Sequence, residues 1–372
     1  MSLERVFMYS SLQFCGHIEE YLAANTQELL AFVVQPRIGQ HTNLVRRYSA
    51  GVLIEERPVR SSQNLFLYYF LIYVTHVREL LRFCPRNQKT LVFGWHPVAF
   101  LGMFFLRWWR PLAFAMWTLD YFPSRIWKDR TFEWLCRWIH GRIEFVFYLT
   151  DAINRALNGT VINASNRRTV MWGLKPFQEV SLPPPRPFSL LFVGLIRRGQ
   201  GLETLFDFLE THDGYRLSLI GVGHADYVTE LQERLGRTGL AERVFFPNRF
   251  YSESELMDVS RSCHVGIALY DTDAENFTHY ADPGKVKAYA EMRLPVLMTR
   301  ISDVANFVER FKSGEVIDQV DQIGDALERI QANHVRYREG VAAFNAYFDY
   351  ERYYGDAFRV FKTCWEHPQA KL

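Results

Sequence analysis

Short runs of β character alternate with helical runs along almost the whole chain. This alternation leaves few folds open, because parallel strands must be joined by crossover helices. In the first half the pattern predicts strands at Arg5–Tyr9, Leu29–Val34, Thr90–Phe93, Ala113–Trp117, Phe145–Tyr148 and near Val170, with helices at Pro97–Trp108 and Ser124–His140. It stops at Ser181–Pro187 (SLPPPRP), where consecutive prolines hold an extended path that continues neither a helix nor a central strand. It then starts again, with strands at Ser189–Val193, Arg216–Ile220, Val244–Phe246, Val265–Ala268, Val296–Thr299 and Gly314–Ile317. Helices are expected between them at Leu202–Glu210, Ala225–Leu235, Glu253–Cys263, Lys285–Met292 and Val320–Ala332, before an aromatic-rich helical segment, Val341–Trp365.

A chain of 372 residues exceeds the roughly 100–200 that one core usually serves. The expected architecture is therefore α/β with two Rossmann-like domains, residues 1–182 and 188–340, and a C-terminal segment, 341–372. Ligands in open α/β sheets bind at the C-terminal ends of the strands, so function is sought in the loops there.

The net charge of +2 implies no nucleic-acid partner, but its distribution is uneven. Between Arg78 and Arg142, basic residues interleave with Trp108, Trp109, Trp117, Trp127, Trp134 and Trp138, and acids are sparse. The five cysteines have no metal-ligand spacing and are odd in number, which fits a reducing compartment. The start, MSLERVFMYSSLQF, lacks the basic end and apolar run of a signal peptide, so a cytoplasmic location is expected. Leu65–Val74 (LFLYYFLIYV) is strongly apolar, yet ten residues fall short of the ~20 a spanning helix needs. It reads as a buried helix or, continued by HVRELLRF, as a helix lying on a membrane surface.

Several strand-end loops carry residues suited to chemistry. Gly194–Leu205 (GLIRRGQGLETL) sets three glycines, Arg197 and Arg198 before a helix whose free N–H groups and partial positive charge suit a diphosphate. It is neither a dinucleotide fingerprint nor a P-loop, so no nicotinamide cofactor follows. LSLIGVGHADY places Gly221 and Gly223 where a backbone can approach a ligand closely. Asp282–Val296 (DPGKVKAYAEMRLPV) puts Lys285 on the first turn of a helix. In the first half, Asp120 follows a strand end in MWTLDYFPSR, His96 another in VFGWHP, and Gly16 lies in the loop after the first strand. Asp271-Thr272-Asp273 spells a metal motif but reads as a loop in the second half, so no metal site is expected.

The ordered set FVG, LSLIGVG, VFFPNRFYSESEL, HVGIALY and PGKVKAYAEMRLPV resembles the nucleotide-binding domain of GT-B glycosyltransferases over Leu190–Thr299. The last stretch is similar to their P-x-K-x-x-E-Y-x-x-x-G-x-P-V pattern at Pro283, Lys285, Tyr289, Pro295 and Val296. Ala288 stands where that pattern has the acid that clamps the donor ribose, and Arg293 where it has glycine. The loop cations of the family are also missing: Leu195 and Gln200-Gly201 stand in their places, leaving Arg197 and Arg198 as substitutes.

The resemblance implies two domains facing a cleft, with the C-terminal helix crossing back to the first. It implies a metal-independent hexosyl- or glucuronosyltransferase, similar to xanthan-type bacterial glucuronosyltransferases. A nucleotide-diphosphate sugar, expected to be a UDP-sugar, would be held by Gly194, Arg197, Arg198, Gly221, Gly223, Lys285 and Tyr289. Asp120 would serve as base for an acceptor hydroxyl, with His96 and Gly16 on the acceptor side. The nucleotide-sugar is then substrate, with no separate cofactor. The acceptor would be a saccharide or lipid-linked saccharide of bacterial surface polysaccharide synthesis, met by the protein as a peripheral visitor to the membrane. Two alternatives stay open: a non-catalytic sugar-nucleotide-binding module, to which Ala288 points, and a nucleotide-sugar epimerase of the same architecture.

Overall fold

The computed structural model describes residues 3–10, 16–34, 43–60, 62, 64–97, 100–101, 103–123, 126–176, 187–272 and 276–366. The chain divides into two compact units, Met1–Gly173 with Tyr350–Leu372, and Leu174–Asp349.

In the first unit the order is β1 (Leu3–Ser10), α1 (Ile18–Asn25), β2 (Thr26–Val33), β3 (Leu44–Ser49), β4 (Val52–Pro58), α2 (Leu65–Phe83), β5 (Thr90–Gly94), α3 (Met103–Leu106), β6 (Leu112–Thr118), α4 (Trp127–His140), β7 (Phe145–Tyr148), α5 (Asp151–Asn158) and β8 (Arg167–Thr169). The eight strands form one sheet in the order β4-β3-β2-β1-β5-β6-β7-β8, parallel from β2 to β8. The hairpin β3–β4 pairs antiparallel at one edge. Its turn has Ala50 and Gly51 at positive φ, as a tight hairpin turn requires. These two strands are not among those expected from the sequence, because β4 is exposed along nearly its whole length and carries no buried face to register as a pattern.

The second unit runs β9 (Phe188–Val193), α6 (Leu202–Thr211), β10 (Tyr215–Ile220), α7 (Ala225–Thr238), β11 (Val244–Phe245), α8 (Glu253–Ser260), β12 (Val265–Ala268), α9 (Gly284–Glu291), β13 (Val296–Thr299), α10 (Val304–Phe311), β14 (Gly314–Ile317), α11 (Ile323–Ala332) and α12 (His334–Tyr347). Its six parallel strands are ordered β11-β10-β9-β12-β13-β14. The order reverses between β9 and β12, which pair through Val265↔Leu190 and Gly266↔Leu191, so the loops beyond these two strands open the topological switch point. Strands buried on both faces read as continuous apolar runs, as in β9 (FSLLFV) and β13 (VLMT), and so this half of the chain follows the sequence expectation closely.

The last element, α13 (Tyr350–Glu366), belongs to the first unit. Its Tyr354, Phe358 and Phe361, spaced four and three apart, lie on one helix face. That face packs on the sheet: Phe358 lies 5.3 Å from Phe147, and Phe361 4.8 Å from Phe145. Each such aromatic contributes about 1.5–3 kcal/mol on burial.

The expected division at Ser181–Pro187 lies, except for Pro187, outside the described residues; the units part at Gly173 and Leu174. The return to the first unit begins at Tyr350, nine residues beyond Val341. The segment is held back because α12 belongs to the second unit, where Phe344 packs edge-on to Phe311, as Phe348, just beyond the helix, does to Phe307. There the Leu174 N–H donates to the Phe348 carbonyl at 2.8 Å, pairing the two stretches of chain that leave this unit.

The apolar helix α2 is not a buried helix, one of the two forms expected of it: one face is packed and the other is open. His76, Leu80 and Phe83 turn inward, the His76 ring lying edge-on to Phe7 and Tyr9, while Phe66 is 82% exposed and Tyr69 and Phe70 are also exposed. No described helix is long and apolar enough to cross a membrane.

Candidate functional site

Within the second unit two glycine loops are laced together at the strand ends. The Gly194 N–H donates to the Ile220 carbonyl at 3.1 Å, and the Ile196 N–H to the Val222 carbonyl at 2.8 Å. A Cβ on Gly221 would stand 1.8 Å from the Gly194 carbonyl oxygen, and one on Gly223 2.3 Å from that of Ile196. Gly194 and Gly221 also have φ of 143° and 155°, where a side chain is strained. The glycines at 221 and 223 are thus required by backbone packed on backbone, which fixes the shape of the loop.

Lys285 reaches this loop from the first turn of α9. Its Nζ donates to Gln200 Oε1 at 2.7 Å and lies 3.9 Å from the Phe192 ring and 4.8 Å from that of Tyr270. A Cβ on Gly194 would meet its Cε at 3.6 Å, an ordinary van der Waals contact, so the glycine there answers to its φ of 143° and not to the lysine. Among the described residues no carboxylate pairs with it. Burial, and then the Arg197 guanidinium, push its pKa well below that of an ordinary lysine. Arg197 itself lies over the Phe277 ring at 4.9 Å and has no ion pair among the described residues. Two basic side chains without a carboxylate partner among the described residues thus lie beside a glycine loop and the N-terminus of α6, an arrangement whose chemistry suits an anion.

The other predicted donor residues fall elsewhere. Arg198 turns outward from the loop before α6 and pairs on the surface with Glu230 of α7 at 2.5 Å and Glu203 of α6 at 3.5 Å. Tyr289 is a correction to the sequence reading: it is 0% exposed, its hydroxyl accepts the Val193 N–H at 3.0 Å and donates to the Ile267 carbonyl at 2.9 Å. It bridges β9 and β12 where their own pairing ends, and its ring fills the place of the missing side chain of Gly266. No surface remains on it for a donor.

The residues that replace the family pattern on α9 have definite partners. Asp282 is buried with Lys287 at 3.6 Å, and the Lys287 ammonium, over the Phe348 ring, is pushed down to about 8 by burial in spite of that carboxylate. Glu291 accepts the Lys175 N–H at 2.8 Å. Arg293 has φ of 59°, the left-handed conformation that follows a helix end and that glycine adopts without strain. Of the Asp-Thr-Asp sequence, Asp273 lies outside the described residues, and no cluster of metal-ligating side chains occurs among those described.

In the first unit the strand-end residues lie along adjacent strands. His96 follows β5 and Asp120 follows β6, which pair through Gly94↔Met116. The His96 and Phe122 rings both lie against Phe132 of α4, at 5.5 and 6.4 Å. Asp120 is exposed, yet desolvation raises its pKa above the ordinary aspartate range. The two facts are compatible, because accessible area decides whether a solute can touch the carboxylate, whereas the density of surrounding protein decides how well its charge is solvated. Desolvation likewise lowers the pKa of His96, so its imidazole is neutral near pH 7.

Gly16 has a packing role in place of the expected acceptor role. Its φ is 56°, its carbonyl accepts the Tyr354 hydroxyl at 2.6 Å, and a Cβ would collide with that hydroxyl and with Trp172. A cavity of about 480 Å³ is lined by Arg216, Ser218, Arg243 and His264. It lies at the opposite ends of the strands from the glycine loops and holds none of the predicted residues.

No protein-family model and no curated protein matches the sequence. Solved structures do. A sucrose-phosphate synthase from Thermosynechococcus elongatus superposes with a TM-score of 0.72 at 14% identity, covering 98% of this chain and 100% of that one. Anabaena HepE in complex with UDP-glucose gives 0.65 at 14%, covering 97% and 99%. The apo form of the lipopolysaccharide outer core galactosyltransferase WaaB gives 0.62 at 16%, covering 97% and 100%. With two parallel-sheet units, a switch point between β9 and β12, and a last helix that rejoins the first unit, the chain has the fold of the GT-B glycosyltransferases.

Proposed function

We propose that the protein is a glycosyltransferase that moves a sugar from a nucleoside-diphosphate donor, a UDP-sugar, to a saccharide or lipid-linked saccharide of surface polysaccharide synthesis. The observation that carries this reading is the pair Lys285 and Arg197, two cations with no carboxylate partner among the described residues, set beside the Gly194 loop. Negative charge accumulates on the departing diphosphate as the sugar–oxygen bond breaks. Cations already in place stabilise that charge without reorganising. A solved structure of the same fold, HepE, is described in complex with UDP-glucose, which favours a uridine nucleotide.

Asp120 takes the acceptor proton in this reading. A base must be ionised to act, and desolvation raises its affinity for the proton it removes. Neutral His96 orients the acceptor, and the residues that hold the donor require no metal ion.

The acceptor's lipid character is supported by the surface of the first unit, where Trp108 is 75% and Trp127 70% exposed and Arg130, one turn along α4 from Trp127, is exposed as well. Aromatic and basic side chains of this kind settle at a bilayer's headgroup level. In this reading the protein works as a peripheral protein at the inner face of a cell membrane, a location that these side chains support.

A second reading, a donor-binding module without turnover, is favoured by Ala288, whose neighbours Asp282 and Glu291 are committed to Lys287 and Lys175. Calorimetry with UDP and uridine, followed by UDP release from UDP-sugars in the presence of acceptor lipids, decides between them. UDP binding with acceptor-dependent release supports the transferase. Binding without release supports the module, and no preference for UDP over uridine overturns both.

A further inference from the structure

Lys285 is enclosed by groups from three directions. Phe192 and Gly194 come from the end of β9, Gln200 from the loop before α6, and Tyr270 from the stretch after β12. The two rings present their negative faces to the ammonium, a favourable contact for a cation. Gln200 supplies the only hydrogen-bond acceptor that Lys285 has among the described residues, and it is buried, with 6% of its surface exposed. The Arg197 guanidinium lies near enough to act on the lysine, and the Tyr270 hydroxyl, its own pKa raised well above the ordinary value by burial, is neutral.

The chemistry of residue 200 is therefore decisive. A carboxylate there would orient the ammonium and also cancel its charge. A lysine would repel it, and an apolar residue would leave it without an acceptor. An amide oxygen fixes the ammonium in place and leaves the charge whole.

We propose that Gln200 is a positioning residue: its amide oxygen holds Lys285 at the Gly194 loop as an uncancelled cation, so that the loop receives from α9 the phosphate-binding charge that its own position 200 does not carry. The proposal rests on the nucleoside-diphosphate reading above. It also makes a claim about the lysine that does not need a ligand, since the identity of residue 200 sets how readily Lys285 is protonated.

The test uses the full chain with Gln200→Glu, Gln200→Ala, Lys285→Gln and the exchange Gln200→Lys with Lys285→Gln, each compared with wild type by thermal unfolding. Two measurements follow. The first is the pH profile of reductive methylation at Lys285 without ligand, read by mass spectrometry. The second is calorimetry with UDP, inorganic pyrophosphate and uridine.

With Gln200→Glu the methylation profile moves to higher pH, because an opposite charge favours the protonated amine. UDP and pyrophosphate then bind about tenfold or more weakly, the equivalent of losing one good charged contact, while uridine is unaffected. Gln200→Ala weakens UDP less than Glu does. The exchange variant regains UDP affinity to within about threefold of wild type, since a cation again occupies the same place.

An unchanged methylation profile in both Gln200→Glu and Gln200→Ala overturns the proposal, and so does an exchange variant that binds UDP no better than Lys285→Gln. Wild type that binds UDP no better than uridine overturns the nucleotide reading instead, and the methylation profile still decides whether Gln200 governs the lysine.

Discussion

Lys285→Met separates a lysine kept for a ligand from one kept for stability. Methionine preserves most of the side chain's length and its contact with Phe192 and Tyr270, but removes the ammonium. A charge about 4 Å from a phosphate is worth ~4 kcal/mol at the effective dielectric of a site near the surface. Desolvation of both partners returns part of this, leaving about 2–3 kcal/mol, or roughly 30–150-fold in UDP affinity. Uridine, with no phosphate, should bind as before.

Stability should move the other way. Gln200 loses its donor, at a cost of ~1 kcal/mol. Thioether–aromatic contact contributes ~0.3–1.5 kcal/mol, and an ammonium no longer has to be held away from water. The melting temperature at pH 7 should therefore be no lower than that of wild type. The sign of the pH dependence follows from the depressed lysine pKa. Between the folded value and the ordinary one the unfolded chain binds more protons, so this residue's contribution is present above the ordinary lysine pKa and is lost as pH falls through the folded value. Methionine should flatten that slope. Calorimetry and thermal unfolding across pH measure all three effects; equal losses for UDP and uridine, or a marked fall in melting temperature, would refute the assignment of Lys285 to a phosphate.

Asp120→Asn should reduce turnover by ~10²–10⁴ with UDP affinity retained, and wild-type kcat/KM should fall on the acid side at a pH above the ordinary aspartate range, because the carboxylate must be ionised to act. Near-normal turnover would remove it as the base. Tyr289→Phe deletes a hydroxyl that satisfies a buried N–H and a buried carbonyl, and should cost about 1–3 kcal/mol in denaturant unfolding with UDP affinity unchanged at low temperature. A stable variant with weakened UDP binding would return this tyrosine to the donor site. Replacing Trp127 and Trp134 by serine should reduce sedimentation with anionic vesicles by about tenfold while leaving thermal stability unaltered, since both side chains are exposed. Unchanged sedimentation would sever this surface from the membrane.

Much of the fold is legible in the sequence because burial on both faces of a parallel sheet turns each strand into a short apolar run between turn residues. All six strands of the second unit, β9 to β14, appear this way, and the helices α6, α7, α8, α9 and α11 are expected between them. The hairpin β3–β4 and the helix α10 do not. The first lacks a buried face, and the second, with buried Val304, Ala305 and Val308, is too short to establish a period. Helical spacing in the Val341–Trp365 region was plain, but the break at Phe348 and Asp349 was not, because both parts are equally aromatic and only their packing partners differ.

The site divides along a similar line. Sequence by itself determines which chemical groups exist and which strand ends carry them: the glycines at 194, 221 and 223, the cations at 197 and 285, the carboxylate at 120. It cannot decide which way a side chain turns. Arg197 and Arg198 are neighbours in sequence, yet one lies over Phe277 beside the lysine and the other pairs with Glu203 and Glu230 on the surface. Tyr289 matches a donor-site pattern and is consumed by two backbone hydrogen bonds in the core. Gln200, which the sequence marks only as a missing loop cation, becomes the partner of Lys285 across 85 residues of chain. Composition and local periodicity act through neighbours in sequence, whereas the partner of a charge is chosen by groups that only the folded sheet brings together.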